Sequence, residues 1–320
     1  MPLLDSAPAT VAAVPPPATR RASLVVELIR LVRPTHWVKS LLVVPLPLLD
    51  PASWHPAGLL RLGWSVLAFV LAASAVYVGN DVADRHRDGH HPVKRHRPVA
   101  SGRVPVPLAY ACAAVLLLGL ALLLAAGLTG PAWPVLLYLA LNVWYSRGLK
   151  HVPLVEAGVV ATGFVLRAVQ GYLAVGTAVS AWLLITVFAG CLLLIIGKRR
   201  QELLEAGVAH RPALHGWSVE LAGHLLQLTG VLAVTAGLVW LGTEAPFDPY
   251  GEAAMLLSTP FVLYLMSRYL QLALVRRAAG DPVRLLLRDR AVVTAVVLWA
   301  ACLGALYAAT RFPALVAALS

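Results

Sequence analysis

Gly79-Asn80-Asp81-Val82-Ala83-Asp84-Arg85-His86-Arg87-Asp88 runs on, past Gly89-His90, into His91-Pro92-Val93-Lys94-Arg95-His96-Arg97-Pro98. The stretch lies between apolar runs at 62–79 and 106–127, so three carboxylates and a basic cluster stand where hydrocarbon-length sequence ends. If the entering helix continues past Asn80, then Asp81, Asp84 and Asp88 stand at i, i+3 and i+7 and project from one face. Carboxylates so placed repel one another, and a hard divalent cation relieves the repulsion. Oxygen-only ligands suit Mg²⁺, which keeps waters and completes its shell with phosphate oxygens, and Asn80 adds a neutral oxygen. Lys94, Arg95 and Arg97 are placed to hold remaining phosphate charge. The stretch reads as a metal-diphosphate site; the plainer reading is a solvated loop whose acids neutralise the adjacent bases. His86 and His90 form an HxxxH pair suited to a transition metal, but on a continued helix they face away from the carboxylates.

The chain has 320 residues, 59% hydrophobic and only 13% charged, with a mean hydropathy of +0.77. Soluble domains carry about 25% charged residues, so this composition describes an integral membrane protein. Apolar runs fall near 41–50, 62–79, 106–127, 131–145, 153–174, 181–197, 219–242, 252–267 and 291–310, which predicts nine spans. The first is short and contains Pro45 and Pro47. Charge supports keeping it. With nine spans and the N-terminus inside, 23 of the 26 Lys and Arg fall on the cytoplasmic side, leaving Arg61 and Arg311 opposite and Arg167 within span 5. The net charge of +11 therefore reports membrane orientation and an anionic partner at the cytoplasmic face, and gives little reason to invoke nucleic acid.

The expected fold is all-α: nine transmembrane helices in a bundle around a cavity open to the cytoplasmic face, spanning 23–316. Residues 1–22, rich in Ala, Pro and Thr with no basic start, read as a disordered tail rather than a signal peptide. From Ser23 to Val32, Leu24, Val25, Leu28, Ile29 and Val32 recur at helical spacing against Glu27, Arg30 and Arg33, which predicts an interfacial helix stopped by Pro34. Cys112, Cys191 and Cys302 each lie in an apolar span and read as small hydrophobes. The two long polar loops, 81–105 and 198–218, lie four spans apart, a spacing compatible with two four-helix halves.

Further candidates lie beyond the opening stretch. Tyr145-Ser146-Arg147-Gly148-Leu149-Lys150-His151 ends span 4 and places Lys150 to hold phosphate or to anchor the interface. Arg167 stands 11 residues after Glu156, three turns along one face, and an intramembrane Arg requires a carboxylate, a phosphate or a watered cavity. Gly197-Lys198-Arg199-Arg200 closes span 6 with basic residues favoured at a helix C-terminus. Arg268 and Asp289 bracket the last cytoplasmic loop and predict a structural ion pair.

Asn80-Asp81-x-x-Asp84-x-x-x-Asp88 followed by Arg97-Pro98-Val99-Ala100-Ser101-Gly102 resembles the first Asp-rich motif of the UbiA-type prenyltransferase superfamily. Arg33-Pro34-x-x-Trp37-x-Lys39, His91-Pro92-x-Lys94-Arg95, Tyr145-Ser146-x-x-Leu149-Lys150-His151, Gly197-Lys198-Arg199 and the Arg268-Tyr269 to Asp289-Arg290 tail resemble its decaprenyl-phosphate phosphoribosyltransferase branch. The resemblance covers roughly 30–310. It departs from aromatic-acceptor enzymes in loop 6/7, where Glu202 and Glu205 replace a second Asp-rich motif, and Glu156 stands where an acidic ligand is expected.

The resemblance implies a transferase of the cell membrane, multi-pass with a cytoplasmic N-terminus. It would move 5-phosphoribose from 5-phosphoribosyl 1-diphosphate to a polyprenyl (decaprenyl) phosphate, releasing diphosphate, for cell-wall arabinan precursor synthesis. Mg²⁺ is implied on Asn80, Asp81 and Asp84, with catalysis carried by Asp81, Asp84 and Lys94. Lys39, Asp88, Arg95, Arg97, Tyr145, Lys150, Glu156, Arg167 and Lys198 are implied in substrate binding. A homo-oligomer is compatible with the sequence. The alternatives are transfer of a polyprenyl group from its diphosphate to an aromatic acceptor, and an anion-binding transporter or scaffold.

Overall fold

The computed structural model describes residues 23–44, 54–91, 93–206, 212–275, 286 and 288–312. The expected tail at 1–22, positions 45–50 of the first expected span, Pro92, positions 207–211 and 276–285 of the polar loops, and 313–316 lie outside the described residues. Among the described residues there are helices and connections and no strand.

The helices are α1 (Leu24–Val32), a 3-10 segment (Pro34–Val43), α2 (Pro56–Ala83), α3 (Arg85–Gly89), α4 (Val106–Ala125), α5 (Trp133–Arg147), α6 (Val155–Val175), α7 (Ala181–Ala206), α8 (Val219–Thr243), α9 (Gly251–Leu270, running on as a π-turn through Gln271–Val275) and α10 (Arg290–Arg311). Seven of these, α2, α4 and α6 to α10, are long and apolar enough to cross a membrane. The expected nine are not reached among the described residues, for two physical reasons. Before Pro45, the first expected span is a 3-10 segment rather than the start of a long α-helix. α5 has only 15 residues, about 22 Å at 1.5 Å per residue, because Pro134 fixes its start and Gly148 its end.

Local chemistry sets the helix ends. His55 caps α2 by accepting from the Gly58 amide at 2.9 Å, with Pro56 at the first helical position. Ser218 and Asp289 cap α8 and α10 in the same way. Gly176, at φ 78°, ends α6 in the left-handed region and returns its amide to the Tyr172 carbonyl.

Packing follows chain order. α4 lies on α2, α2 on α5 and α6, α6 on α7, α7 on α8, α8 on α9 and α9 on α10. α6 is the most buried span and α2 the next. Both present small residues inward: Ser65, Ala68, Ala72 and Ala73 on α2, and Ala157, Ala161, Gly163, Ala168 and Ala174 on α6. In hydrocarbon, where water supplies no drive between helices, such faces let backbones approach and gain dispersion contact. Phe69, Tyr138, Leu120 and Leu166 fill the layer between α2, α4, α5 and α6; Leu193, Leu226 and Tyr269 fill the layer between α7, α8 and α9.

α1 exposes Leu24, Val25 and Ile29 as an interfacial helix should, but Glu27 turns inward. It is ion-paired to Arg30 at 2.8 Å and to Arg103 at 3.1 Å, which ties α1 to the segment after the Asp-rich stretch.

Candidate active site

α2 runs unbroken to Ala83, pauses at Asp84 and resumes as α3. Helical hydrogen bonds persist across the pause, from the Asp84 amide to the Asn80 carbonyl (2.9 Å) and from the Asp88 amide to the Asp84 carbonyl (2.8 Å). The spacing read from sequence therefore survives. Two corners with positive φ flank the site: Arg33 (54°) between α1 and the 3-10 segment, and Leu154 (65°) at the entry to α6. Non-glycine residues rarely adopt this region, so packing on either side must hold them there. The first corner carries the Arg33 guanidinium to Asp81 and across the Tyr77 ring, 5.0 Å from its centroid.

A cavity of about 450 Å³ opens at this end of the bundle. α2 contributes Tyr77 and Asn80; Asp84 and α3 contribute two carboxylates and Arg87; Lys94 and Arg97 follow. The end of α5 and the turn after it bring Tyr145, Lys150 and His151, and α7 brings Lys198, Arg199 and Glu202. With Arg33, seven Lys and Arg side chains face three carboxylates, so the cavity is built for an anion.

Its carboxylates are matched by cations from elsewhere. Lys150 Nζ stands 2.8 Å from Asp84, and Arg97 stands 2.6 Å from Asp88. Asp81, only 1% exposed, does not line the cavity; it lies beneath, held by Arg33 at 2.5 Å and Arg97 at 3.4 Å. Asn80 Oδ1 accepts from Ser146, which orients it. Beside them, burial and the charges of Lys39, Arg33 and Lys198 push His36 below its usual range, and its ring meets Tyr77 edge-on at 5.2 Å.

A second pocket of about 190 Å³ shares Tyr77, Asn80 and Tyr145 with the cavity and extends between α2, α5 and α6. Lys39 and Arg167 line it together with Tyr138, Asn142 and Phe164.

The structure thus brings Asn80, Asp84, Asp88, Lys94, Arg97, Tyr145, Lys150 and Lys198 to the cavity, and Lys39 and Arg167 to the inner pocket. Arg95 is not among them: it is exposed and its Nε faces His96. Glu156 is also absent from both linings. It is fully buried and forms a two-point pair with Arg199, at 2.6 and 3.0 Å. Arg167 has no such partner in Glu156, contrary to the one-face spacing. Arg268 and Asp289 do pair, at 2.7 Å. Sequence reading missed Arg33, Tyr77, Arg87, His151, Arg199 and Glu202 as lining residues; Tyr77, one turn before Asn80 on α2, carried a periodic signal that could have found it.

Among the described residues no cluster of three His, Cys, Asp or Glu forms a ready-made metal cage. The oxygens of Asn80, Asp84 and Asp88 instead fit a hard cation that takes its remaining ligands from phosphate and water.

A family model described as the UbiA prenyltransferase family matches residues 48–287. The decaprenyl-phosphate phosphoribosyltransferase of Mycobacterium tuberculosis is 35% identical over 295 residues, 89% of this chain and 95% of that protein. The Corynebacterium glutamicum protein of the same name is 29% identical, over 86% of this chain and 85% of its own length. A solved UbiA homologue from Archaeoglobus fulgidus bound to GPP and Mg²⁺ superposes with a TM-score of 0.62 at 19% identity, covering 88% of this chain and 99% of that one. The matching model and these relatives, spread over the helices that build the cavity, place the chain in the UbiA prenyltransferase family.

Proposed function

We propose that this multi-pass membrane protein is a polyprenyl-phosphate phosphoribosyltransferase, transferring 5-phosphoribose from 5-phosphoribosyl 1-diphosphate to a polyprenyl phosphate and releasing diphosphate. The observation that carries the reading is the charge of the cavity: seven basic side chains against three carboxylates leave its wall net positive, which suits a donor and an acceptor that are both phosphorylated. The excess of Lys and Arg in the connections at this end supports a cytoplasmic cavity and a cytoplasmic N-terminus.

Asn80, Asp84 and Asp88 would hold Mg²⁺, with Asp81 beneath supporting them through Arg97. Bound there, Mg²⁺ supplies charge neutralisation on the leaving diphosphate. Lys94, Arg97, Lys150 and Lys198 bind and orient the phosphate groups, and Tyr145 and Asn80 wall the passage between cavity and inner pocket. The acceptor phosphate is already an anion, so no side chain need remove a proton. The chain's contribution is alignment of that oxygen with C1 of the pentose and stabilisation of charge on the departing diphosphate. In-line attack gives inversion at C1.

Membranes incubated with 5-phosphoribosyl 1-diphosphate and decaprenyl phosphate are expected to form a lipid-linked phosphopentose and release diphosphate. Product only from an allylic diphosphate and an aromatic acid would instead establish the prenyl-transfer alternative. Release of no diphosphate from any pair would leave anion binding as the function.

A further inference from the structure

Arg167 lies within α6, 5% exposed, nine residues before the Gly176 cap, and is surrounded by rings rather than acids. Phe69, Tyr138 and Phe164 place their centroids 5.1, 4.7 and 5.5 Å from the guanidinium carbon. Nη1 donates to the Gly163 carbonyl at 2.7 Å, while Nε has no hydrogen-bond partner. Among the described residues no carboxylate stands within ion-pair distance of it. Ring faces offset part of the desolvation of a buried cation, but they do not accept its in-plane N–H groups. A cation held this way inside a membrane bundle faces a cavity that takes an anion.

That cavity is the inner pocket, whose wall also carries Lys39. Helical side chains lean towards their own N-terminus, so the guanidinium is drawn back to the level of Gly163, towards the outer cavity. Because the two spaces share Tyr77, Asn80 and Tyr145, a molecule with one charged group beside Asn80 and Asp84 extends its other end towards Arg167. At about 190 Å³ the pocket suits a phosphorylated pentose. A chain of many isoprene units exceeds it, and any apolar occupant would leave the guanidinium unpaired.

We infer that the inner pocket is the subsite for the phosphate monoester of the donor's pentose, held by Arg167 and Lys39, and that it selects a phosphorylated sugar over an apolar donor. The inference rests on the phosphoribosyl-transfer reading and assigns one of its groups. A lipid phosphate has the same terminal chemistry, so the test separates the two sources.

The full-length protein in detergent is titrated with ribose 5-phosphate, with Mg²⁺ and inorganic diphosphate, and with decaprenyl phosphate. Arg167→Gln is expected to weaken ribose 5-phosphate binding at least tenfold while leaving the other two within about twofold, and to raise the donor KM more than it lowers kcat. Arg167→Lys retains part of the affinity. If Arg167→Gln does not fold, as read by its melting curve, Lys39→Met carries the same comparison. Unchanged ribose 5-phosphate affinity in a folded variant, or a loss confined to decaprenyl phosphate, overturns the assignment. A wild-type protein that binds ribose 5-phosphate through Arg167 yet makes no lipid-linked product supports the subsite and sinks the transferase reading alone.

Discussion

The guanidinium of Arg33 stands 2.5 Å from Asp81 Oδ1, joining the left-handed corner after α1 to the buried end of α2. Asp81 is almost wholly enclosed and its other cation, Arg97, is 3.4 Å away. Removing one partner of a buried pair leaves a charge without its match, at about 3–5 kcal/mol when nothing replaces it. Because Arg97 remains and Arg33 is partly exposed, Arg33→Ala is expected to destabilise by about 1–3 kcal/mol. Thermal unfolding in detergent measures this, and adding Asp81→Asn should restore part of the loss. A variant that melts with the wild type would show that Arg97 alone satisfies Asp81.

Asp84, at the pause between α2 and α3, both lines the cavity and meets Lys150. Asp84→Ala is expected to lower Mg²⁺-dependent transfer about 100-fold or more, whereas Lys150→Ala chiefly raises the donor KM. Initial rates of diphosphate release across a Mg²⁺ series make the distinction. Full Mg²⁺-dependent activity in Asp84→Ala would remove this residue from the metal site.

Glu156 and Arg199 join α6 to α7 through two hydrogen bonds, and Arg199 also reaches Glu202 at 2.7 Å. The pair holds Arg199 at the cavity wall. Glu156→Ala should destabilise by about 3–5 kcal/mol, and the double variant with Arg199→Met by less than the two single changes together. Melting curves of all four proteins test the coupling. Additive losses would contradict it.

The acidic stretch, the helix boundaries around it and the ion pair of Arg268 with Asp289 were legible because each depends on local spacing or on charge at a helix end. The pairing of Glu156 with Arg199 was not legible, because one-face periodicity on α6 says nothing about what α7 presents to it. Nor does spacing reveal that Asp81 points beneath the cavity while Asp84, only three residues on, lines it. The apolar run at 131–145 is itself only 15 residues long, so counting it as a span passed over how far α5, between Pro134 and Gly148, falls short of the roughly 20 residues a crossing needs. Long-range pairings of this kind, Arg33 with Asp81 above all, are set by how helices cross, which no single segment encodes.

His36 gives the site a pH response. Burial is the largest cause of its lowered pKa, followed by the charges of Lys39, Arg33 and Lys198. The unfolded chain takes up a proton near 6.5, whereas the folded chain resists it until a lower pH, so the unfolded state binds more protons in the interval. The stabilisation is therefore complete above 6.5 and is lost as pH falls through the folded value. Melting temperature should be insensitive to His36 near pH 8 and should fall on acidification, with a shallower fall in His36→Gln. Because other groups titrate in the same range, the measured quantity is the difference between the two proteins. Parallel melting curves from pH 8 to pH 5 would show that His36 carries none of the dependence. The same proton would place a further positive charge beside Tyr77 and Lys39, so on acidification the folded protein is expected to bind phosphorylated ligands more tightly than His36→Gln does at the same pH.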